Sequence, residues 1–166
     1  METKFTIIED GSQLGYETNV WDFTKVRSTA KIGHHTTIGM FCEIAGIVGN
    51  HCKIANHNSI YLGIELDDNV YVGPNVTFEN VSIPKTYRPI ATSCYKKTHI
   101  GNGVTIEANA TIGPGVDIGD YAIIGKGSVV LEDIPKGYMV HGNPAVISLK
   151  SIKRKKELSN NYNYGN

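Results

Sequence analysis

The stretch Ile100–Val130 reads IGNGVTIEANATIGPGVDIGDYAIIGKGSVV, and its spacing decides the fold. Counted in sixes, branched aliphatics fall at Ile100, Ile106, Ile112, Ile118, Ile124 and Val130 without a gap. Toward the N-terminus the same step recurs at Ile8, Leu14, Val20, Val26, Ile32, Ile38 and Ile44. Glycine follows the aliphatic at Gly15, Gly33, Gly39, Gly101, Gly113, Gly119 and Gly125. Two residues before it the side chain is small or apolar, as at Ala30, Cys42, Cys52, Ala110, Val116, Ala122 and Ser128. Strand side chains alternate, so residues i and i−2 share a face. Each unit is therefore predicted to be a short strand plus a turn. The aliphatic and its i−2 neighbour point inward, and glycine eases a corner of positive φ. Three units close a triangular coil of about 18 residues, and stacked coils pair as parallel strands around an aliphatic column. A helical period of 3.6 cannot produce this spacing.

The rhythm changes in the middle. Ile44 to Val48 is a step of four, and so is Ile60 to Ile64, followed by Val70 and Val76. Two shortened coils of 16 residues are expected there. Between Val76 and Ile100 the sixfold slots hold Ser82, Arg88 and Cys94, which do not suit an aliphatic column. Residues of about 79–98 are read as a loop extruded from the coil. Pro84 and Pro89 support this, since proline fits central strands poorly. Long loops in compact domains are often functional. The reading divides the chain into a β-helix domain over 1–147 and a C-terminal basic helix and tail over 148–166. A short helix over Ser148–Leu158 is expected to cap the open end of the column, with Asn160–Asn166 frayed.

Bulk properties narrow the function. Lys and Arg total 16 and Asp and Glu total 16, so no strong field favours nucleic acid or a membrane surface. No apolar run approaches the ~20 residues that span a bilayer. The start, Met1-Glu2-Thr3-Lys4, lacks the pattern of a secretory signal. Cys42, Cys52 and Cys94 are odd in number and show no CxxC spacing, which fits reduced thiols in a cytoplasmic protein.

The hexads, the extruded loop and the ending GKGSVVLEDIPKGYMVHGNPA (Gly125–Ala145) resemble the hexapeptide-repeat acyltransferases. That resemblance implies a left-handed coil and a homotrimer with active sites in clefts between subunits. It implies acetyl-CoA as co-substrate and no metal. A narrower stretch, NHNSIYLGIELDDNVYVGPNVTFENVSIPK (Asn56–Lys85), is similar to N-acetyltransferases that act on nucleotide-linked 3-amino sugars. Such enzymes serve surface polysaccharide (lipopolysaccharide) biosynthesis. Their pattern of Gly-Pro, an aromatic and an Asn before the loop is met by Gly73-Pro74, Phe78 and Asn80. The Pro-Arg that the family carries early in the loop is Pro84-Lys85 here, which keeps the charge but loses the bidentate fork.

Acyl transfer from a thioester needs a positioned nucleophile, a destination for its proton and donors for the oxyanion. Many sugar O-acetyltransferases of the superfamily carry a base His-Pro where the loop begins. Here that stretch reads Asn80-Val81-Ser82-Ile83-Pro84. A hydroxyl without a base reacts poorly, whereas a neutral amine is itself nucleophilic. An amine acceptor is expected, with Asn80 hydrogen-bonding it. As a bare residue Asn80 also reads as a turn-forming Asn at a loop start.

His99 precedes Ile100, so alternation points it outward, as a surface His or as a base reached from the neighbouring subunit. His57 is a second candidate near the same face, and Lys85 and Lys96 are candidates for the sugar nucleotide's diphosphate. By resemblance, Ala108 and Gly125 would contact acetyl-CoA, with Lys126 beside them. Lys150, Lys153, Arg154, Lys155 and Lys156 are candidates for its phosphates. His35, His51 and Asp67, at 16-residue spacing, are expected to stack as a ladder, and His141 to serve a turn. The rival readings are an O-acetyltransferase with His99 or His57 as base, a γ-type carbonic anhydrase, which needs three converging His, and a non-catalytic scaffold.

Overall fold

A computed structural model describes residues 5–87 and 91–147. The chain winds into seven coils, each contributing one short strand to each of three faces. The first face stacks Ile7–Ile8, Lys25–Val26, Glu43–Ile44, Ser59–Ile60, Thr77–Phe78, Thr111–Ile112 and Val129–Val130. The second stacks Gln13–Leu14, Lys31–Ile32, Ile47–Val48, Ile64–Leu66, Thr98–Ile100 and Asp117–Ile118, ending on a single bridge to Ile134. The third stacks Asn19–Val20, Thr37–Ile38, Lys53–Ile54, Tyr71–Val72, Thr105–Ile106, Ile123–Ile124 and Met139–His141. Among the described residues every pairing between coils is parallel, and Val146–Ile147 alone runs antiparallel, folding back on Met139–His141. Corner A joins the first face to the second, corner B the second to the third, and corner C the third to the first of the next coil.

The inward column is the one the period predicts. Ile38, Ile44, Ile54, Ile60, Ile100, Ile106, Ile112, Ile118 and Ile124 are fully buried, as is Phe78. Burying such a side chain contributes about 1.5–3 kcal/mol. Ala30, Cys42, Cys52, Ala110, Val116, Ala122 and Ser128 fill the i−2 places and are buried too. Cys42, Cys52 and Cys94 are all free thiols. Burial pushes the Cys52 thiol up to about 11 and raises that of Cys42, so both act as small core side chains. Ile8 and Leu14 depart from the expectation, at 50% and 36% exposed. They lie in the first coil, which has a neighbour on one side only.

Three expectations need correction. The glycines that follow the aliphatics do not hold the positive φ. They mark close approach between coils: a Cβ on Gly33 would lie 2.6 Å from the Gly49 carbonyl carbon, and one on Gly119 2.6 Å from the Lys136 nitrogen. The left-handed residue comes two positions later: Glu17, His35, His51, Asn69 and Tyr121 at corner B, and Phe23, Phe41, His57, Asn75 and Asn109 at corner C, with Gly103 and Gly127 in the same places. Second, the step of four at Ile60–Ile64 does not shorten a coil. Leu66, not Ile64, pairs with Val48, and both are buried. In that coil i and i−2 are equally apolar, so the pattern offers two phases, and the phase Leu66, Val72, Phe78 is the one used. The step at Ile44–Val48 is real, and its corner is reduced to Ala45-Gly46. Third, the His35–His51 ladder exists, with rings stacked 4.9 Å apart, but Asn69 continues it rather than Asp67.

The extruded loop occupies corner A of the fifth coil and covers 79–97. The strand resumes at Thr98, which is fully buried, one place inside the expected boundary. The Lys96 N–H donates to the Asn80 carbonyl at 2.7 Å and closes the loop at its base. A 3-10 turn, Thr92–Cys94, lies among its described residues. The expected helix at 148–158 and frayed end at 160–166 lie outside the described residues. No helix among the described residues is long and apolar enough to cross a membrane.

Candidate active site

Asn80 sits where the chain leaves the first face, just past buried Phe78. Its Nδ2 donates to the Leu62 carbonyl at 3.0 Å. A carbonyl can only accept, so this bond fixes the amide and leaves Oδ1 as an acceptor. Two residues after the loop, His99 stands outward on the second face. Its Nδ1 lies 3.0 Å from Asp117 Oδ1 and its Nε2 3.2 Å from Asp67 Oδ2. Asn102 Nδ2 donates to the same Asp67 oxygen at 3.2 Å. The Asp117 hydrogen bond is the main cause that raises the His99 pKa. Partial burial opposes it, and the charge and hydrogen bond of Asp67 add to the rise. The imidazole is thus held toward its cationic form, with both nitrogens on carboxylates.

Asp67 and Asp117 were not among the sequence candidates for this cluster. Asp117 lies 18 residues after His99, one full coil, which is the signal that finds it. Asp67 follows Leu66, so it is found only once the phase of that coil is right. Glu65 pairs with His99 across the strands, and Lys97 Nζ reaches Glu65 at 3.8 Å. The Lys96 stem packs over Gly115, which holds a φ of +85°. Asn80 and Lys96 thus share corner A of the fifth coil, and His99 stands on the second face just beyond it. Lys85 is exposed farther out on the same loop.

The other candidates lie elsewhere. His57 is on corner C, stacked 5.0 Å from Phe41 at the foot of a column that continues through Phe23 to Phe5. Ala108 is on corner C below the fifth coil, and Gly125 with Lys126 on corner C below the sixth. The Gly127 N–H donates to the Ala108 carbonyl, and the Lys126 N–H to Glu107. His141 ends the last strand of the third face, against Gly125. The candidates from the loop and those at Ala108, Gly125 and Lys126 therefore lie on different corners, separated by the first face. The five basic residues between Lys150 and Lys156 lie outside the described residues. Among those described, no group of three or more His, Cys, Asp or Glu side chains is placed to hold a metal.

This architecture defines a class, the parallel β-helix of hexapeptide repeats, and the comparisons agree. Residues 97–132 match the family described as Bacterial transferase hexapeptide (six repeats), so the chain carries the repeat of those transferases. The bifunctional protein GlmU of Acidithiobacillus ferrooxidans is 33% identical over 130 residues, covering 77% of this chain and 26% of GlmU. The galactoside O-acetyltransferase of Lactococcus lactis subsp. lactis is 32% identical over 108 residues, covering 63% of this chain and 50% of the enzyme. The chain thus spans half or less of the length of these two relatives. Among solved structures, a hexapeptide-repeat acetyltransferase of Vibrio cholerae complexed with acetyl coenzyme A superposes with a TM-score of 0.55 at 28% identity. That match covers 82% of this chain and 69% of the other. The fold is the left-handed parallel β-helix that the repeat implies.

Proposed function

We propose that the protein is an acetyl-CoA-dependent N-acetyltransferase for the amino group of a dTDP- or UDP-linked 3-amino sugar, serving surface polysaccharide synthesis. The observation that carries the reading is the anchored Asn80 amide, whose free Oδ1 is an acceptor suited to an amine N–H. The neutral amine attacks the thioester carbonyl, a C–N bond forms, and the C–S bond breaks as the tetrahedral intermediate collapses. The nitrogen's proton passes to the departing thiolate. The state of His99 favours this over transfer to a hydroxyl. A hydroxyl needs a free basic nitrogen, and both imidazole nitrogens face carboxylates. In this reading His99, Lys85 and Lys96 are cations beside the loop that steer the anionic acceptor toward Asn80.

The thioester lies along corner C of a neighbouring subunit, over Ala108 and Gly125 with Lys126 at its side. The separation of the two groups of candidates supports a homotrimer with sites between chains. The test is thiol release from acetyl-CoA with a panel of nucleotide-linked amino sugars, each product weighed by mass spectrometry. Gain of one acetyl group on a 3-amino sugar is expected. Release only with hydroxyl acceptors would move the reading to O-acetylation. Asn80→Ala should lower turnover about tenfold, near the ~1.4 kcal/mol of one positioned hydrogen bond, with an unchanged circular dichroism spectrum.

A further inference from the structure

Corner C carries more than the candidates at Ala108 and Gly125. Above it, along the third face and corner C of the first to fourth coils, a cleft of about 560 Å³ opens between Trp21 and Pro74. Its floor is Gly39 and Ala55, and its wall includes Met40. Ligand pockets run to about 300–1,000 Å³, so the size suits a small molecule. Trp21 offers its indole at 44% exposure. Lys53 stands in the cleft and has no ion-pair partner among the described residues. Asn56 gives its Oδ1 to the Met40 N–H at 2.9 Å, which leaves Nδ2 to donate. No acidic residue among those described lines the cleft. An exposed indole beside an unpaired ammonium and an amide donor matches a flat heteroaromatic ring joined to phosphate.

The cleft also sits at the right height. Its lower end, Gly73-Pro74, touches the next coil directly: a Cβ on Gly73 would lie 2.7 Å from the Ala108 nitrogen, and the Asn109 N–H donates to the Pro74 carbonyl. The junction of Pro74 and Ala108 brackets the fifth coil, the one from which Asn80 and His99 project. Along a single corner, then, the cleft lies on one side of the reacting level and the proposed thioester path on the other.

From this we infer that the Trp21–Lys53–Asn56 cleft binds the nucleoside diphosphate of the acceptor, so that acceptor and acyl donor approach the reacting level from opposite ends of corner C. The inference rests on the acceptor being nucleotide-linked, and its test separates the two ideas. Trp21 is the only tryptophan of the chain, so indole emission excited at the red edge reports on this cleft alone. Titration of the full chain with dTDP and with UDP, without sugar or acetyl-CoA, should change that emission saturably. Lys53→Met should weaken the binding at least tenfold, and raise KM for the acceptor while leaving KM for acetyl-CoA unchanged. Nucleotide binding that depends on Lys53, in a protein that acetylates none of the amino sugars, would uphold the cleft and overturn the N-acetyltransferase reading. Amino-sugar acetylation with no emission change, or with equal affinity in Lys53→Met, would overturn the cleft alone. Emission that follows protein concentration and ignores nucleotide would assign the surface to a second copy of the chain and also overturn it.

Discussion

At His99 a single ring stitches three successive coils, because Asp67, His99 and Asp117 come from adjacent strands of the second face. Its raised pKa sets the sign of a pH effect. A group whose folded pKa lies above its unfolded value contributes stability that is complete below the unfolded value, near 6.5 for His. That contribution is lost as pH rises through the folded value. The cluster is part-exposed, so solvent screens it and the effect on stability is modest. Asp117→Asn removes the largest cause, and the titration midpoint of His99 followed by NMR should fall toward the ordinary value. An unmoved midpoint would dismiss Asp117 as the cause. This cluster was only half legible in the sequence. Strand alternation placed His99 outward, but Asp67 required a phase that Ile64 and Leu66, both apolar, left open. Nor could composition say which residue takes the left-handed corner. One set of glycines serves close approach, while the strained position is shared between other glycines, such as Gly103 and Gly127, and rings that stack upon one another, as Phe23 and Phe41 do at 5.1 Å.

At the scale of an element, the loop is held apart from the column. Its base is closed by the bond between Lys96 and Asn80, and residues 82–87 are exposed. Excising 81–95 and joining the ends with two glycines should leave the fold intact, with a shift in Tm of no more than about 4 °C. Acetyl transfer should vanish in the same protein. A large fall in Tm would mean that the loop stabilises the coils. The loop was legible because six-residue slots filled by Ser82 and Cys94 cannot join an aliphatic column. Its residues carry no period, so neither the closing bond at its base nor the anchor of Asn80 on Leu62 could be read from them.

For the whole molecule, the decisive fact is that the two groups of candidate residues occupy different corners. If active sites form between chains, two inactive variants should rescue each other. Asn80→Ala damages corner A, and Ala108→Trp blocks corner C with bulk. Alone, Asn80→Ala should keep about a tenth of the activity and Ala108→Trp almost none. Refolded together in equal amounts, random assortment in a closed ring should restore about a quarter of the sites. Absence of recovery in a verified mixed oligomer would place the whole site within one chain. The prism itself was legible from periodicity, since one residue in six repeats its environment. The assembly was not, because the outward residues of each strand follow no comparable rule.

The loop also changes how the molecule would come apart under tension. Successive coils bond to each other across 16 or 18 residues, except at the fifth, where the partners Thr77 and Thr111 are 34 apart. Pulled from its ends, the chain would shed coils one at a time, each releasing roughly 60 Å of contour. One rupture alone, at the coil that bears the candidate site, would release roughly 120 Å, marking that coil in the force trace.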